Sequence, residues 1–178
     1  MFAYLPNSLH LPLAICAVLL IALLAIAFGI RSSVRTRRHR RKRLQAQKAM
    51  AKINEFEHPG QRLAYLRKID PFAFEELLLD AFERKGYEVR RNNRYTGDGG
   101  VDGVVFKDGR RYLIQAKRYA GHVQRAHIEQ FCHLLDAKDC LGFFCHTGKT
   151  GQAGKDLVKA HGKATVLSGQ RLLDFLSV

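Results

Sequence analysis

The sequence predicts an α/β domain that follows a single transmembrane helix. Three observations lead to this prediction. A run of twenty residues without a charge lies near the N-terminus, at residues 11–30. Segments with helical and strand-like patterns alternate between residues 71 and 176. Among them, two stretches rich in β-branched and aromatic residues flank Asp108-Gly109, a dipeptide suited to the two-residue turn of a β-hairpin.

The N-terminal segment, residues 1–30, contains the apolar run LPLAICAVLLIALLAIAFGI, whose length matches the roughly 20 helical residues that cross a bilayer. A cleaved signal peptide is the alternative, because Ala25-Ile26-Ala27 resembles a cleavage site. No Lys or Arg precedes the run, however, and ten Lys or Arg with no acid follow between residues 31 and 52. Basic residues stay on the cytoplasmic side. We therefore expect a single-pass protein of the inner (cytoplasmic) membrane, with its N-terminus outside and its domain in the cytoplasm.

A basic juxtamembrane segment and a helix-prone connector occupy residues 31–66. The whole chain carries 30 basic and 16 acidic residues, and subtracting the ten of this segment leaves 20 basic against 16 acidic residues for 53–178. The domain is thus only mildly basic. We expect the bilayer to be a partner through residues 11–30 and, by attraction of anionic lipid, through the basic block 31–52. Non-specific binding of DNA phosphates is the alternative role of that block.

A helix over residues 71–85 begins the domain. Asp70 is a suitable N-cap, Pro follows it at the first helical position, and Gly86 can end the helix. At about 100° per residue, Glu75 falls at the edge of the apolar stripe, whereas Glu76 points toward water. Glu75 is therefore the glutamate that can reach a site, with a solvated flanking charge as its alternative interpretation.

The hairpin brings polar side chains together. If Asp108-Gly109 form the turn, facing residues have numbers that sum to 217, so that Asp102 faces Gln115. Lys117 points to the same face as Gln115 because a strand has a period of two. A carboxylate, an amide and an ammonium group are thus expected at one end of the hairpin.

These groups suit phosphodiester chemistry. Hydrolysis of a phosphodiester uses a hard divalent cation, Mg²⁺ or Mn²⁺, bound by carboxylate and carbonyl oxygens. Asp102 can supply one ligand and the main-chain carbonyl of Ala116 a second. The ammonium group of Lys117 can orient the attacking water or stabilise charge on the phosphorus oxygens. The alternative is a hairpin whose polar face is simply hydrated.

The other elements alternate between strand and helix. They are predicted as strands 87–91, 101–106 and 111–118, a helix 123–138, a strand 140–146, a helix capped by Thr150 that reaches His161, a strand 164–168 and a helix 170–176.

Two other kinds of site are excluded by spacing. Gly148-Lys149-Thr150 lacks the glycine five residues earlier that a phosphate-binding P-loop requires. The cysteines lack the paired spacing of a zinc site, so we expect small buried hydrophobes in a reducing cytoplasm. His122 and His127 could touch substrate, and a surface position is the alternative for both.

Two motifs and one helix form a recognisable pattern. They are GDGGVDG at residues 97–103, the QAK after the hairpin, and FEELLLDAFERKGYEV at 74–89. Together they resemble the Mrr-like restriction endonucleases of the PD-(D/E)xK nuclease superfamily, with Gln in place of the usual acid before the lysine. The resemblance runs from about residue 70 to the C-terminus. It implies a nuclease domain over residues 67–178 with a restriction-endonuclease-like core, in which a mixed central sheet of order αβββαβ is flanked by helices.

The resemblance also implies roles for single residues. Asp102 would be a metal ligand, Gln115 would lie beside the metal, Lys117 would be the catalytic lysine, and Glu75 would be the acidic residue of the first helix. Metal donors would then be Glu75, Asp102 and the carbonyl of Ala116. Basic residues near the site in sequence are candidate DNA contacts: Arg90, Arg91, Arg94, Arg118 and Arg125.

The sequence therefore predicts a membrane-anchored, metal-dependent endodeoxyribonuclease, with restriction or defence against foreign DNA as its setting. A nuclease-fold module that binds DNA or a partner at the membrane without cutting is the alternative. The oligomeric state stays open, and a homodimer would supply the pair of active sites that suits a double-strand cut.

Overall fold

The computed structural model describes residues 10–91 and 100–177. The chain divides into two compact units, residues 1–41 and 42–178. Its helices are α1 (His10–Glu55), α2 (Pro59–Lys68), α3 (Pro71–Arg84), α4 (Arg125–Ala137), α5 (Gln152–His161) and α6 (Gly169–Leu176). Its strands are β1 (Glu88–Arg91), β2 (Gly103–Lys107), β3 (Arg110–Lys117), β4 (Leu141–His146) and β5 (Ala164–Ser168).

The five strands form one mixed sheet in the order β1-β2-β3-β4-β5. Strands β1, β2 and β3 are antiparallel neighbours, whereas β4 and β5 run parallel to β3. The parallel pairs require crossover connections, which α4 and α5 provide. The predicted α/β fold with a mixed sheet between helices is therefore confirmed.

Helices cover both faces of the sheet. Phe74, Leu77 and Phe82 of α3 pack with Ile114 and with α6 in one buried cluster. A second cluster joins Ile128, Phe131 and Leu135 of α4 to Leu113 and Phe144. The neighbours Leu113 and Ile114 belong to different clusters because successive side chains of a strand point to opposite faces. Strand β3 is therefore buried from both sides, and its polar end is the part that can reach a ligand.

Two predicted helix starts behave differently. Asp70 caps α3 as predicted, since its side chain accepts hydrogen bonds from the main-chain nitrogens of Phe72 (2.9 Å) and Ala73 (3.1 Å). The N-cap of α5 is Gly151 rather than Thr150. The hydroxyl of Thr150 instead hydrogen-bonds with Nε2 of His146 (3.0 Å) and with Oγ of Ser168 (3.3 Å).

The connector is part of the second compact unit. Ala46, Ala49 and Ile53 near the end of α1 and Leu66 of α2 are each at most 3% exposed and lie in the cluster with α3. Two of these buried residues are alanines, whose small side chains give a weak hydrophobic pattern. The compact unit therefore starts at Lys42, ahead of the boundary at residue 67 that the motifs suggest.

The segment predicted to cross a membrane lies within α1. Among the residues that the structure describes, no helix is both long and apolar enough to span a bilayer. The predicted transmembrane helix over residues 11–30 is therefore not supported.

Candidate active site

The β2–β3 hairpin has the predicted turn and register. Asp108 and Gly109 both have positive φ, 51° and 72°, as a two-residue type I′ turn requires. Gly103 pairs with Ile114 and Lys107 with Arg110, so that facing residues have numbers that sum to 217 as predicted. This register places Asp102 immediately before β2.

Asp102 is held against β3 by its main chain and by its side chain. Its main-chain nitrogen donates to the carbonyl oxygen of Ile114 (2.8 Å). Its carboxylate oxygen Oδ2 accepts a hydrogen bond from the main-chain nitrogen of Ala116 (2.7 Å). Because Ala116 lies between Gln115 and Lys117, the carboxylate is anchored to the main chain of the QAK motif, whereas the prediction placed it across from the side chain of Gln115.

Helix α3 brings Glu75 to the same end of the sheet. A β-carbon on Gly103 would lie 2.6 Å from Cδ2 of Leu79, so the absence of a side chain at this position lets α3 approach β2. Glu75 and Leu79 are four residues apart and share one face of the helix. The contact that packs Leu79 on Gly103 therefore directs Glu75 toward the neighbouring Asp102.

The electrostatics of Glu75 reflect this position. The pKa of Glu75 is raised to about 8, mainly by burial and then by the charges of Asp102 and Glu76, and the ammonium of Lys117 partly opposes this rise. Two carboxyl groups and a lysine thus act on one another at the end of β3. Burial, followed by the charge of Asp102, also raises the pKa of the Cys145 thiol on the adjacent strand.

The position predicted for Glu76 from the helical projection was wrong. It was predicted to face water, but it is 2% exposed. Nε of Arg91 in β1 lies 3.1 Å from its Oε2, and the same guanidinium contacts Asp80 and Glu83. A buried carboxylate is stable when it has such a partner. Arg91 is therefore a structural cation of α3, and not the free DNA contact that the sequence suggested.

Gln115 and Lys117 share one face of β3 as predicted. Both line a groove of about 420 Å³ together with Gly100, Tyr119 and His127. Nε2 of Gln115 donates to the carbonyl oxygen of Gly100 (2.7 Å), which fixes the amide. The groove thus opens directly onto the lysine.

Tyr119 is a residue of this groove that was missed. Its hydroxyl hydrogen-bonds with Nδ1 of His127 (2.7 Å), and the two rings stack with centroids 5.7 Å apart. Tyr119 lies beyond β3, which ends at Lys117, so the strand period of two did not identify it. His127 was considered as a substrate contact, and its position beside Lys117 agrees with that interpretation.

Three of the arginines predicted to contact DNA, Arg94, Arg118 and Arg125, differ in their structural positions. Arg94 lies outside the described residues. Nη1 of Arg118 donates to the main-chain carbonyls of Arg67 (3.2 Å) and Ile69, so this side chain joins β3 to the end of α2. Arg125 is exposed at the start of α4. Contacts of these three residues with DNA stay predictions.

The donor set fits a hard cation. Within residues 10–91 and 100–177, no three His, Cys, Asp or Glu side chains group as a metal site. The predicted cation donors are two side chains, the carboxylates of Glu75 and Asp102. The third predicted donor is a main-chain group, the carbonyl of Ala116. All three predicted donors are oxygens, with no thiolate or imidazole, which suits Mg²⁺ or Mn²⁺ rather than Zn²⁺. A bound cation would also offset the repulsion between the two carboxylates.

Comparison with known proteins gives three findings. The family model Mrr_cat, described as a restriction endonuclease, matches residues 66–176. The type IV methyl-directed restriction enzyme EcoKMrr of Escherichia coli strain K12 is 32% identical over 123 residues, which cover 64% of this chain and 40% of that protein. Among solved structures, a protein of unknown function, AF1548, is similar with a TM-score of 0.44 and 16% identity, over 56% of this chain and 58% of that one.

Proposed function

This chain belongs to the Mrr_cat family of restriction endonucleases, and from that premise we propose that it is a metal-dependent endonuclease that cuts DNA. The chain spans 40% of the length of the curated relative it matches. That relative is named as a methyl-directed restriction enzyme, and we extend restriction of foreign DNA to this chain as part of the proposal.

One observation carries the proposal. Glu75 and Asp102 come from a helix and from a hairpin, yet their charges act on one another and on Lys117. On the same helix, Asp80 is paired with Arg91 (2.5 Å), as a structural carboxylate commonly is. A carboxyl group whose ionisation is opposed by a second one is typical of a functional site.

Each group has a role that its position allows. Glu75, Asp102 and the carbonyl of Ala116 would hold Mg²⁺ or Mn²⁺, which supplies a Lewis acid and activates water. Lys117 would orient the attacking water and stabilise negative charge on the phosphoryl oxygens. The amide of Gln115, fixed by Gly100, would position the groups around the cation.

The test is cleavage of supercoiled plasmid by the full chain, with Mg²⁺ and with EDTA. We expect nicking that requires the metal and is abolished by Asp102→Ala and by Lys117→Ala. Lys138→Ala is the matched control, because Lys138 is an exposed lysine beyond α4 at the opposite end of the parallel strands. Circular dichroism melting of all three variants checks that the fold is retained.

The outcomes separate an enzyme from a binding module. Nicking by both site variants at the wild-type rate would contradict the site. DNA binding that is indifferent to metal, without any cleavage by the wild-type chain, would favour the module that does not cut.

A further inference from the structure

A second groove lies between α5 and α6, apart from the candidate active site. It has a volume of about 660 Å³. Its polar lining, which defines the α5–α6 groove here, consists of Lys155, Lys159, Arg171, Thr150, Ser168 and Gln170. The two lysines come from α5 and the arginine comes from α6, so cations face the groove from both helices.

The three cations of this groove are not neutralised by the domain. Among the described residues, none of the three has an ion pair with an acidic side chain, in contrast to Lys163, which contacts Asp136 and Asp139 at 3.3 Å each.

The acidic side chains nearest along the two helices have other partners. Asp156 accepts a hydrogen bond from Gln152 (2.9 Å), and Asp174 accepts one from Gln170 (2.7 Å). The α5–α6 groove is therefore a concave surface with uncompensated positive charge, with hydroxyl and amide donors beside it.

The sheet connects this groove to the candidate active site. Lys117 of β3 pairs with His146 of β4, and His146 pairs with Ser168 of β5. The hydroxyl of Thr150 hydrogen-bonds with both His146 and Ser168. Since neighbouring strands lie about 4.8 Å apart, Ser168 is roughly 10 Å from Lys117 across the sheet. One DNA strand rises about 3.4 Å per nucleotide, so this separation corresponds to about three nucleotides.

We propose that the α5–α6 groove binds the phosphate backbone of the DNA that the candidate active site cuts. This inference rests on the proposed function and adds a place and a chemical class of ligand to it. Ammonium, guanidinium and hydroxyl groups are the usual partners of phosphate oxygens, and such contacts fix the register of a protein on DNA without selecting a sequence. The groove therefore contributes affinity and orientation, and no catalytic group.

The test is the salt dependence of DNA binding, measured by fluorescence anisotropy with the full chain in EDTA so that no cleavage occurs. The variant is Lys155→Gln with Arg171→Gln, which removes one cation from each side of the groove. The matched control is Lys138→Gln with Arg110→Gln, an exposed lysine and an exposed arginine at the opposite end of the parallel strands. The basic block at residues 31–52 is present in every protein, so its own contribution cancels in the comparison.

We expect the groove variant to bind more weakly and to lower the slope of log K against log salt by about 1.8, since each phosphate contact contributes about 0.9. We expect the control variant to retain the wild-type slope. The inference is overturned if the groove variant keeps the wild-type slope, or if the control loses as much. In those cases metal-dependent cleavage by the wild type would leave the proposed function intact. A wild-type chain that neither binds nor cuts DNA would instead reject the proposed function, and the groove assignment with it.

Discussion

The carboxylate of Asp102 accepts a hydrogen bond from the main-chain nitrogen of Ala116, with 2.7 Å between the two atoms. One of its oxygens is therefore already occupied by the protein before any cation or substrate is bound. Because the donor is a main-chain group of a central strand, the carboxylate cannot move away without breaking this hydrogen bond. This contact holds the side chain in place at the end of β3 where the cation is proposed to bind.

This hydrogen bond separates the structural role of Asp102 from its chemical role. In Asp102→Asn the amide oxygen can still accept from Ala116, so we expect the melting temperature to change little. The negative charge is lost, however, and we expect the cleavage rate to fall by about 100-fold or more, since loss of a group that only supports a metal ligand already costs about 10–100-fold. Asp102→Ala should add a loss of stability on the order of 1–3 kcal/mol for the unsatisfied main-chain donor. Plasmid cleavage and urea unfolding of both variants provide the measurement, and wild-type cleavage by Asp102→Asn would contradict the assignment.

The repulsion between Glu75 and Asp102 predicts how Mg²⁺ changes the melting temperature, which can be measured without an activity assay. Burial and the charge of Asp102 both disfavour the ionised form of Glu75. In EDTA at pH 8.5 we therefore expect Glu75→Gln to melt at or above the temperature of the wild type. With Mg²⁺ we expect the wild type to gain more stability than the variant, because a ligand that binds only the folded state stabilises it. Differential scanning calorimetry measures both shifts.

A matched substitution makes this test specific. Glu83→Gln removes a carboxylate of the same helix that pairs with Arg91 (2.9 Å). We expect that variant to lose some stability in EDTA and to retain the full Mg²⁺ shift. Equal Mg²⁺ shifts for the wild type and for Glu75→Gln would exclude Glu75 from the cation site.

The hairpin could be predicted to the single residue because its determinants are local. Asp108 and Gly109 accept the positive φ of a tight turn, and a two-residue turn leaves one register for the strands beside it. The pairing of Gly103 with Ile114 follows from that turn alone. Asp102, Gln115 and Lys117 lie in or next to the hairpin, so the same register predicts that they lie at one end of the sheet.

The surroundings of α3 could not be predicted in this way because they depend on distant elements. A helical projection places Glu76 opposite the apolar stripe, but it contains no information about Arg91, which arrives from β1 and pairs with it. The approach of Leu79 to Gly103 is equally invisible in either segment alone. Periodicity describes one element, whereas burial of a charge and close approach of a backbone involve two.

The contact between Gly103 and Leu79 can be tested by a double-mutant cycle. A β-carbon at position 103 would lie 2.6 Å from Cδ2 of Leu79, so we expect Gly103→Ala to cost about 1–3 kcal/mol through overpacking. Valine lacks δ-carbons, so in a Leu79→Val background the same substitution should cost at least about 1 kcal/mol less. Urea unfolding of the four proteins gives the coupling energy.

Activity should follow the position of α3 in the same cycle. Because Glu75 lies one turn before Leu79, we expect Gly103→Ala to slow cleavage, and Leu79→Val to restore part of it in the double variant. Equal stability costs of Gly103→Ala in both backgrounds would show that the two residues do not determine how closely the helix approaches.

His146 predicts how the stability of the domain depends on pH. Its side chain is fully buried, and burial lowers its pKa to about 4 from 6.5. In the unfolded chain the imidazole takes up a proton as the pH falls below 6.5, whereas in the folded domain it stays neutral down to about pH 4. The contribution of the neutral ring to the free energy of unfolding is therefore fully present above pH 6.5. It is lost as the pH falls from 6.5 to 4. From these values we expect the free energy of unfolding to fall by on the order of 2 kcal/mol between pH 7 and pH 5.

The comparison that isolates this residue is His146→Gln, which cannot titrate and retains a group that can hydrogen-bond with Thr150. We expect the variant to be less stable than the wild type at pH 7, because the amide fills less of the space between Tyr119 and Phe144. Its stability should nevertheless fall less than that of the wild type on going to pH 5, since every other titrating group is shared. Urea unfolding at pH 7, 6 and 5 measures both curves. Parallel curves would show that His146 is protonated as readily in the folded domain as in the unfolded chain, which its burial between β3 and β5 should prevent.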